Sequence, residues 1–327
     1  MTGSFYCKGK GVDVDKARGV KLYRQAAKQG LTEAQCNLGI CYQKGEGIEK
    51  NLKEAMKWYE EAASHGNLTA QMNLAMLYEE GDAIPQDMSQ AVYWYTKAAE
   101  LGDPNAQVKL GFCYLEGVGV AQDLEKATDY YIRAAEQDNA DAQINLGVCY
   151  EEGKGVPRDE KEAARWYAAA ANQGHPHGQC NLGSCYEEGV GVEQNLELAF
   201  HFYQKAAMQN HARAQCCIGL AYENGRGVAA NPRMGTMWYS KAASQSDPYG
   251  QYLLGRAYDR GIGVAPDIVA AVKWFWKSAE QGLREAQYSL GRCYEAGRGV
   301  PQDVVQAMKW YQLSADQGHE EAREKME

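Results

Sequence analysis

Near the C-terminal end of the chain, aromatic and basic side chains recur at a spacing that suits the binding of an anion. Tyr252, Arg256 and Arg260 are four residues apart, and Tyr288 and Arg292 repeat the first two of these positions 36 residues later. Side chains four residues apart share one face of a helix, and guanidinium groups beside aromatic rings bind carboxylates. The pattern predicts a receptor for an acidic group. The alternative is that these arginines only solvate the surface by pairing with nearby carboxylates, namely Glu285, Asp259 or Glu295.

A second set of polar side chains recurs with the same spacing and suits the binding of a peptide backbone. It consists of Asn37, Asn73, Lys109, Asn145 and Asn181. An asparagine amide offers a donor and an acceptor, as a peptide group does, so a row of them can hold an extended peptide. The alternative is that asparagine is simply common at this position and is solvated.

Acidic residues recur one helical turn or more beyond these asparagines. They are Glu79 and Glu80, Glu116, Glu151 and Glu152, Glu187 and Glu188, and Glu223. Carboxylates at the C-terminal end of a helix oppose the helix dipole and repel one another, so we expect them on a solvated edge. A docking ridge for a basic partner is the alternative.

Cysteine and histidine, the other residues with reactive side chains, do not form a recognisable site. Cys36 and Cys41 are about 140° apart around a helix, and no CxxC pair occurs, so we expect buried, reduced thiols among the ten cysteines. His175 and His177 flank a proline and are expected to be neutral turn residues. No GxxxxGK[ST], HExxH or GxSxG sequence occurs. We therefore predict no enzyme activity, no cofactor and no metal.

All these positions belong to a repeat of 36 residues that runs through the chain. Its clearest mark is a leucine or isoleucine followed by a small residue: Leu38-Gly39, Leu74-Ala75, Leu110-Gly111, Leu146-Gly147, Leu182-Gly183, Ile218-Gly219, Leu254-Gly255 and Leu290-Gly291. A fixed period of this length is typical of a solenoid built from stacked supersecondary units. Residues shared by every unit mostly build the stack, so function is expected where a position departs from the shared pattern.

Each unit is predicted to contain two helices. In residues 32–67, apolar residues at Ala34, Leu38 and Cys41 indicate an amphipathic first helix that ends at Gly45. Asn51 is the predicted N-cap of the second helix, and Gly66 closes it. Gly39 is costly inside a helix, so we expect a neighbouring helix to pass too close for a side chain. The predicted units are 1–31 (a partial repeat), 32–67, 68–103, 104–139, 140–175, 176–211, 212–247, 248–283 and 284–319, with a further one beginning at 320–327.

The composition excludes several classes of partner. The 327-residue chain carries a net charge of −9, opposite in sign to the surfaces that bind nucleic acids or anionic membranes. No apolar run approaches the roughly 18 residues of a membrane helix, and MTGSFYCKGKG at the start lacks the apolar core of a signal peptide. We therefore predict a cytoplasmic protein without nucleic-acid binding or membrane insertion.

The repeat resembles the Sel-1-like repeat (SLR) family, an all-α relative of tetratricopeptide repeats. The pattern AxxxLGxxYxxGxGVxxDxxxAxxWYxxAAxxG is followed by Ala142, Leu146-Gly147, Tyr150, Gly153, Gly155-Val156, Asp159, Ala163, Trp166-Tyr167, Ala170-Ala171 and Gly174. The resemblance covers essentially the whole chain; one local departure is Ala83, which replaces a turn glycine. It implies an all-α, right-handed α-solenoid in a single domain, whose first helices line a concave face, and an adaptor role.

We therefore predict a protein-interaction scaffold that binds a peptide or partner protein along this face. Neither end of the array looks capped, which suggests a segment of a longer protein or head-to-tail self-assembly. Cysteine-rich relatives are linked to hydrolase activity, but the SxxK sequence and the cysteine spacing of their bridges are both missing. Structural self-assembly and, less favoured, hydrolysis stay open as alternatives.

Overall fold

A computed structural model describes residues 14–82 and 84–326 as helices joined by short turns, without a strand in that part of the chain. Residues 1–13, which belong to the predicted partial repeat, and Ala83 lie outside the described residues. The helices form two compact units, Met1–Arg158 and Asp159–Glu327. Within each unit, pairs of helices recur every 36 residues and consecutive helices pack together. The prediction of an all-α solenoid is therefore confirmed.

The first unit contains α1 (Lys16–Lys28), α2 (Thr32–Lys44), α3 (Leu52–Ser64), α4 (Leu68–Glu80), α5 (Met88–Glu100), α6 (Pro104–Glu116), α7 (Leu124–Ala135) and α8 (Ala140–Glu152). The second unit contains α9 (Glu160–Asn172), α10 (Pro176–Glu188), α11 (Leu196–Met208), α12 (Ala212–Asn224), α13 (Pro232–Ser244), α14 (Pro248–Arg260), α15 (Ile268–Glu280), α16 (Arg284–Ala296), α17 (Val304–Asp316) and α18 (Glu320–Glu324). Even numbers mark the first helix of a repeat, and odd numbers mark the second.

The ends of the helices follow from the residues predicted to cap them. The side chain of Asn51 accepts a hydrogen bond of 3.1 Å from the backbone N–H of Glu54, and an Asn or Asp does the same at each later second helix. The first helices α2 to α16 end on a glycine in the left-handed conformation, with φ between 63° and 76°. The predicted caps are confirmed.

Within a repeat, an aromatic ring of the second helix packs on the glycine of the first. A Cβ atom added to Gly39 would lie 2.6 Å from the ring of Tyr59, and one at Gly111 would lie 2.4 Å from Tyr131. Both tyrosines are almost fully buried. The predicted close approach at Gly39 is confirmed, and the approaching group is a side chain from the same repeat.

Buried glutamines, which the sequence analysis did not identify, join each repeat to its neighbours. Gln107 donates to the carbonyl of Ala99 at the end of the preceding helix, and its Oε1 accepts a 2.8 Å bond from Gln137. The same pair recurs at Gln215 and Gln245. Gln71 lacks this second partner, because the residue equivalent to Gln137 in its neighbouring repeat is Leu101. The Oε1 atom of Gln71 is therefore buried without a hydrogen bond to the described residues.

Most of the cysteines also belong to this interior. Of the nine within the described residues, eight are buried and Cys217 is half-buried; Cys7 lies outside that part. Burial raises the pKa of the Cys113 and Cys293 thiols to about 11. The prediction of buried thiols is confirmed for those eight. Within residues 14–82 and 84–326, no helix has the length and apolar character needed to cross a membrane.

Candidate peptide-binding surfaces

The predicted asparagine row lies on successive first helices. Asn37, Asn73 and Asn145 lie on α2, α4 and α8 of the first unit, and Asn181 lies on α10 of the second. All four side chains are half-buried, and none forms a hydrogen bond to another described residue. Helices α2 and α4 contact each other, so Asn37 and Asn73 belong to neighbouring helices of one surface.

Lys109, the fifth member of this row, is held by an internal ion pair. Its Nζ lies 2.8 and 3.0 Å from the two carboxylate oxygens of Glu79 in the preceding repeat. The Tyr95 hydroxyl donates to the same carboxylate. Burial alone would raise the pKa of Glu79, but the hydrogen bonds from Lys109 and Tyr95 outweigh it and lower this pKa. The Lys109 ammonium is therefore engaged within the fold.

A row of apolar side chains runs beside the asparagines, and the sequence analysis did not identify it. Each member lies three residues after a member of the asparagine row. The members are Ile40, Met76, Phe112 and Val148, which follow Asn37, Asn73, Lys109 and Asn145. Met76 is 38% exposed and Phe112 is 49% exposed. The sequence could have indicated this row, because each apolar residue comes three positions after a polar residue and therefore lies on the same face of its helix. This part of the first unit thus combines unpartnered amides with accessible apolar groups.

In the second unit, Arg256 is drawn into the interior. Its Nη2 lies 2.6 Å from Oε2 of Glu223, 33 residues earlier, and this carboxylate oxygen also accepts a 2.6 Å bond from the Tyr239 hydroxyl. The side chains of Arg256 and Glu223 are only 20% and 16% exposed. The predicted partners of the arginine cluster are instead taken by other cations: Arg298 binds Asp259, Arg284 binds Glu285 and Lys325 binds Glu295.

The other members of the predicted anion receptor differ in exposure. Tyr252 is half-buried, with its ring centroid 6.0 Å from that of Phe275, and burial raises its pKa. Tyr288 stacks on His319 at 4.5 Å. Arg260 and Arg292 are exposed, and neither forms an ion pair with another described residue. The structure thus leaves two of the three arginines available to an external anion.

The acidic residues at the ends of the first helices have two different environments. Glu79, Glu187 and Glu223 accept hydrogen bonds from tyrosine hydroxyls and pair with cations of the following repeat. By contrast, Glu80, Glu116, Glu152 and Glu188 are exposed. The expected solvated edge consists of this second group, because the first group is bound inside the stack.

The histidines of the inter-repeat turns contact one another. Nε2 of His211 lies 3.1 Å from Nδ1 of His177, and the rings of His175 and His177 are 5.7 Å apart. Burial lowers the pKa of His211, which favours its neutral form. In the described ranges, no group of three or more His, Cys, Asp or Glu side chains is arranged to hold a metal ion.

Comparisons with known proteins relate this architecture to one repeat family. The family model described as Sel1 repeat matches nine consecutive segments: 1–31, 32–67, 68–103, 104–139, 140–175, 176–211, 212–247, 248–283 and 284–319. No curated protein matches the chain.

Two solved structures are similar over most of this chain. A protective antigen with an SLR fold from uropathogenic Escherichia coli is 37% identical, with a TM-score of 0.78 over 93% of this chain. This chain spans only 65% of that antigen's length. A Sel1 repeat protein from Oxalobacter formigenes is 34% identical, with a TM-score of 0.70 over 94% of this chain and 88% of that one.

Proposed function

Because the chain belongs to the Sel1 repeat family, we propose that it is a protein-interaction scaffold. In its first unit, an extended peptide segment of a partner lies across the first helices α2 to α8. The asparagine amides bind the peptide backbone, and the neighbouring apolar row receives its side chains. The scaffold has no catalytic role.

The observation that supports this most directly is that the half-buried amides of Asn37, Asn73 and Asn145 form no hydrogen bond to the residues that the structure describes. Polar groups in a folded protein are normally hydrogen-bonded, to the protein or to water. A half-buried amide on a helix can replace its hydrogen bonds to water with hydrogen bonds to a peptide N–H and C=O. The loss of side-chain entropy is small because the helix and the surrounding side chains already restrict the amide. The separation of neighbouring packed helices, roughly 10 Å, corresponds to about three residues of extended chain.

The exposed apolar groups provide the hydrophobic part of the binding energy. Met76 and Phe112 belong to consecutive repeats and are 38% and 49% exposed. Covering such side chains with apolar atoms contributes about 25 cal/mol per Å² of apolar surface removed from water. Methionine also adapts to different partner side chains because it is flexible. The ligand is therefore expected to carry apolar residues about three positions apart.

In the second unit, the scaffold binds an acidic group of a partner through Arg260 and Arg292. Both side chains are exposed and neither pairs with a carboxylate of the described residues, so a ligand carboxylate would not have to displace one. Arg256 stays bound to Glu223 and supports the surface without contacting the ligand. Tyr252 and Tyr288 supply half-buried rings beside these arginines.

Selection of peptides by the full chain tests the backbone-binding surface. Peptides selected from a random library displayed on phage are synthesised, and their affinities are measured for wild type and for Asn37→Ala with Asn73→Ala. Each lost neutral hydrogen bond contributes about 1 kcal/mol, so the double variant should bind at least about tenfold more weakly. Asn172→Ala, an exposed position on α9, is the matched control.

Unchanged affinity of all selected peptides for the double variant would exclude the asparagine row as the binding site. Binding lost in Arg292→Gln but kept in the asparagine variant would assign those peptides to the second unit. Sedimentation of the same samples distinguishes peptide binding from self-assembly, since head-to-tail association would raise the mass with protein concentration and without peptide.

A further inference from the structure

The helix α15 carries an aromatic residue at a position where no other repeat has one. Trp276 corresponds to Arg24, Glu60, Thr96, Ile132, Ala168, Gln204, Ser240 and Gln312 in the other repeats. Its side chain is 44% exposed. A large aromatic ring left this exposed keeps much of its apolar surface in water, and tryptophan is enriched among the residues that dominate binding energy at protein interfaces. This position therefore differs from the shared pattern in a way that stacking does not explain.

Trp276 lines an open cleft of about 390 Å³ within the second unit. The cleft lies between α15 and the end of α16 with its following turn, and its other apolar lining residues include Val272, Trp274, Tyr294 and Val300. This volume is at the lower end of the range for small-ligand sites. It suits one large apolar side chain of a partner.

Two lysines give the cleft a positive charge in an otherwise acidic protein. Lys273 and Lys277 line it and are exposed, and Nζ of Lys277 lies 4.3 Å from the ring centroid of Trp274. Neither lysine pairs with a carboxylate among the described residues. The indole N–H groups of Trp274 and Trp276 likewise donate to no acceptor in that part of the chain. The cleft thus offers apolar walls, two cations without a carboxylate partner and two indole donors without an acceptor among the described residues.

We propose that this cleft is a further docking site, separate from the two surfaces proposed above, which binds a polypeptide segment of a partner carrying an aromatic or large aliphatic side chain next to a carboxylate. The apolar side chain packs against the apolar lining of the cleft, which includes Trp274, Trp276 and Tyr294, where aromatic contact and burial provide the attraction. The carboxylate pairs with Lys273 and Lys277. The site is formed by α15, the end of α16 and the following turn, and it shares no residue with the asparagine row or with Arg260 and Arg292, so a scaffold of this kind can hold more than one partner segment.

Two capped dipeptides that differ by one charge test the chemistry of this site. Acetyl-Glu-Phe-amide and acetyl-Gln-Phe-amide are titrated into the full chain, and the tryptophan indole N–H signals are followed by ¹⁵N–¹H NMR. The chain has seven tryptophans, and Trp276→Leu identifies the signal of Trp276 by its loss. We expect the glutamate peptide to shift the Trp274 and Trp276 signals and to bind at least about fivefold more tightly than the glutamine peptide.

A double variant and a matched control separate charge from general loss of binding. Lys273→Gln with Lys277→Gln should abolish the difference between the two peptides, while Lys241→Gln, the equivalent position beside Trp238, should leave it unchanged. Equal affinities of both peptides for wild type, or shifts confined to other tryptophans, would overturn the proposal. Concentration-dependent self-association that Trp276→Leu abolishes would overturn it in favour of a second copy of the chain.

Discussion

Arg256 binds Glu223 across the junction of two consecutive repeats, with 2.6 Å between Nη2 and Oε2. The same carboxylate oxygen accepts the hydroxyl of Tyr239 from its own repeat. Glu79 has the same arrangement with Lys109 and Tyr95 in the first unit. In each case a carboxylate at the end of a first helix joins its own second helix to the next repeat, and this explains why acidic residues are retained where the helix dipole disfavours them.

The Arg256→Gln substitution should destabilise the protein by about 2 kcal/mol, because a largely buried carboxylate would lose its charged hydrogen-bond partner. Arg292→Gln is the control, since Arg292 is exposed and unpaired among the described residues, and its effect should stay within about 0.5 kcal/mol. Urea unfolding followed by circular dichroism measures both. Equal midpoints for the two variants would contradict the assigned role of the Arg256–Glu223 pair.

The Leu101→Gln substitution should stabilise the first unit by about 1 kcal/mol. Oε1 of Gln71 is buried without a partner, and a glutamine at position 101 would supply the donor that Gln137 supplies to Gln107 at 2.8 Å. Leu101 is 57% exposed, so little apolar burial is lost. Thermal unfolding should show a higher midpoint for Leu101→Gln than for Leu101→Ala, and the reverse order would refute this explanation.

The Gly111→Ala substitution should destabilise the first unit by about 1 to 2 kcal/mol. The added Cβ would lie 2.4 Å from the Tyr131 ring, and such overpacking outweighs the gain in helix propensity. In a Tyr131→Leu background the same substitution should cost markedly less, because the smaller side chain relieves the contact. A double-mutant cycle from urea unfolding measures this coupling; additive effects would show that the ring does not require glycine here.

The Lys109→Met substitution should lower stability by about 0.5 to 1 kcal/mol at pH 7, and the loss should disappear in acid. The pKa of Glu79 is lowered in the folded protein, so its contribution is present above the unfolded value of about 4.3 and is lost as the pH falls through the folded value. Unfolding at pH 7 and pH 3 measures the change. Lys97→Met, which removes an exposed pair with Glu100, is the control. A loss that is as large at pH 3 as at pH 7 would contradict this ion-pair account.

Much of the fold follows from local patterns in the sequence. The spacing of Ala34, Leu38 and Cys41 predicts a buried helix face, and the structure buries all three. Caps such as Asn51 and Gly45 act on backbone groups within a few residues, so their residue types are sufficient to locate helix ends. The candidate asparagine surface could be located for the same reason, since Asn37 and Asn73 hold equivalent positions in successive repeats, and its function stays a prediction.

The sequence by itself therefore determined the repeat, the helices and their buried faces, because these depend on periodicity and on contacts between near neighbours. Only the tertiary structure decided that Lys109 and Arg256 are bound to Glu79 and Glu223, since these partners are 30 and 33 residues apart. It alone places Trp276 in a cleft with Tyr294 of the next repeat. Such pairings depend on how neighbouring helices pack and on the rotamers of long side chains, neither of which a 36-residue period specifies.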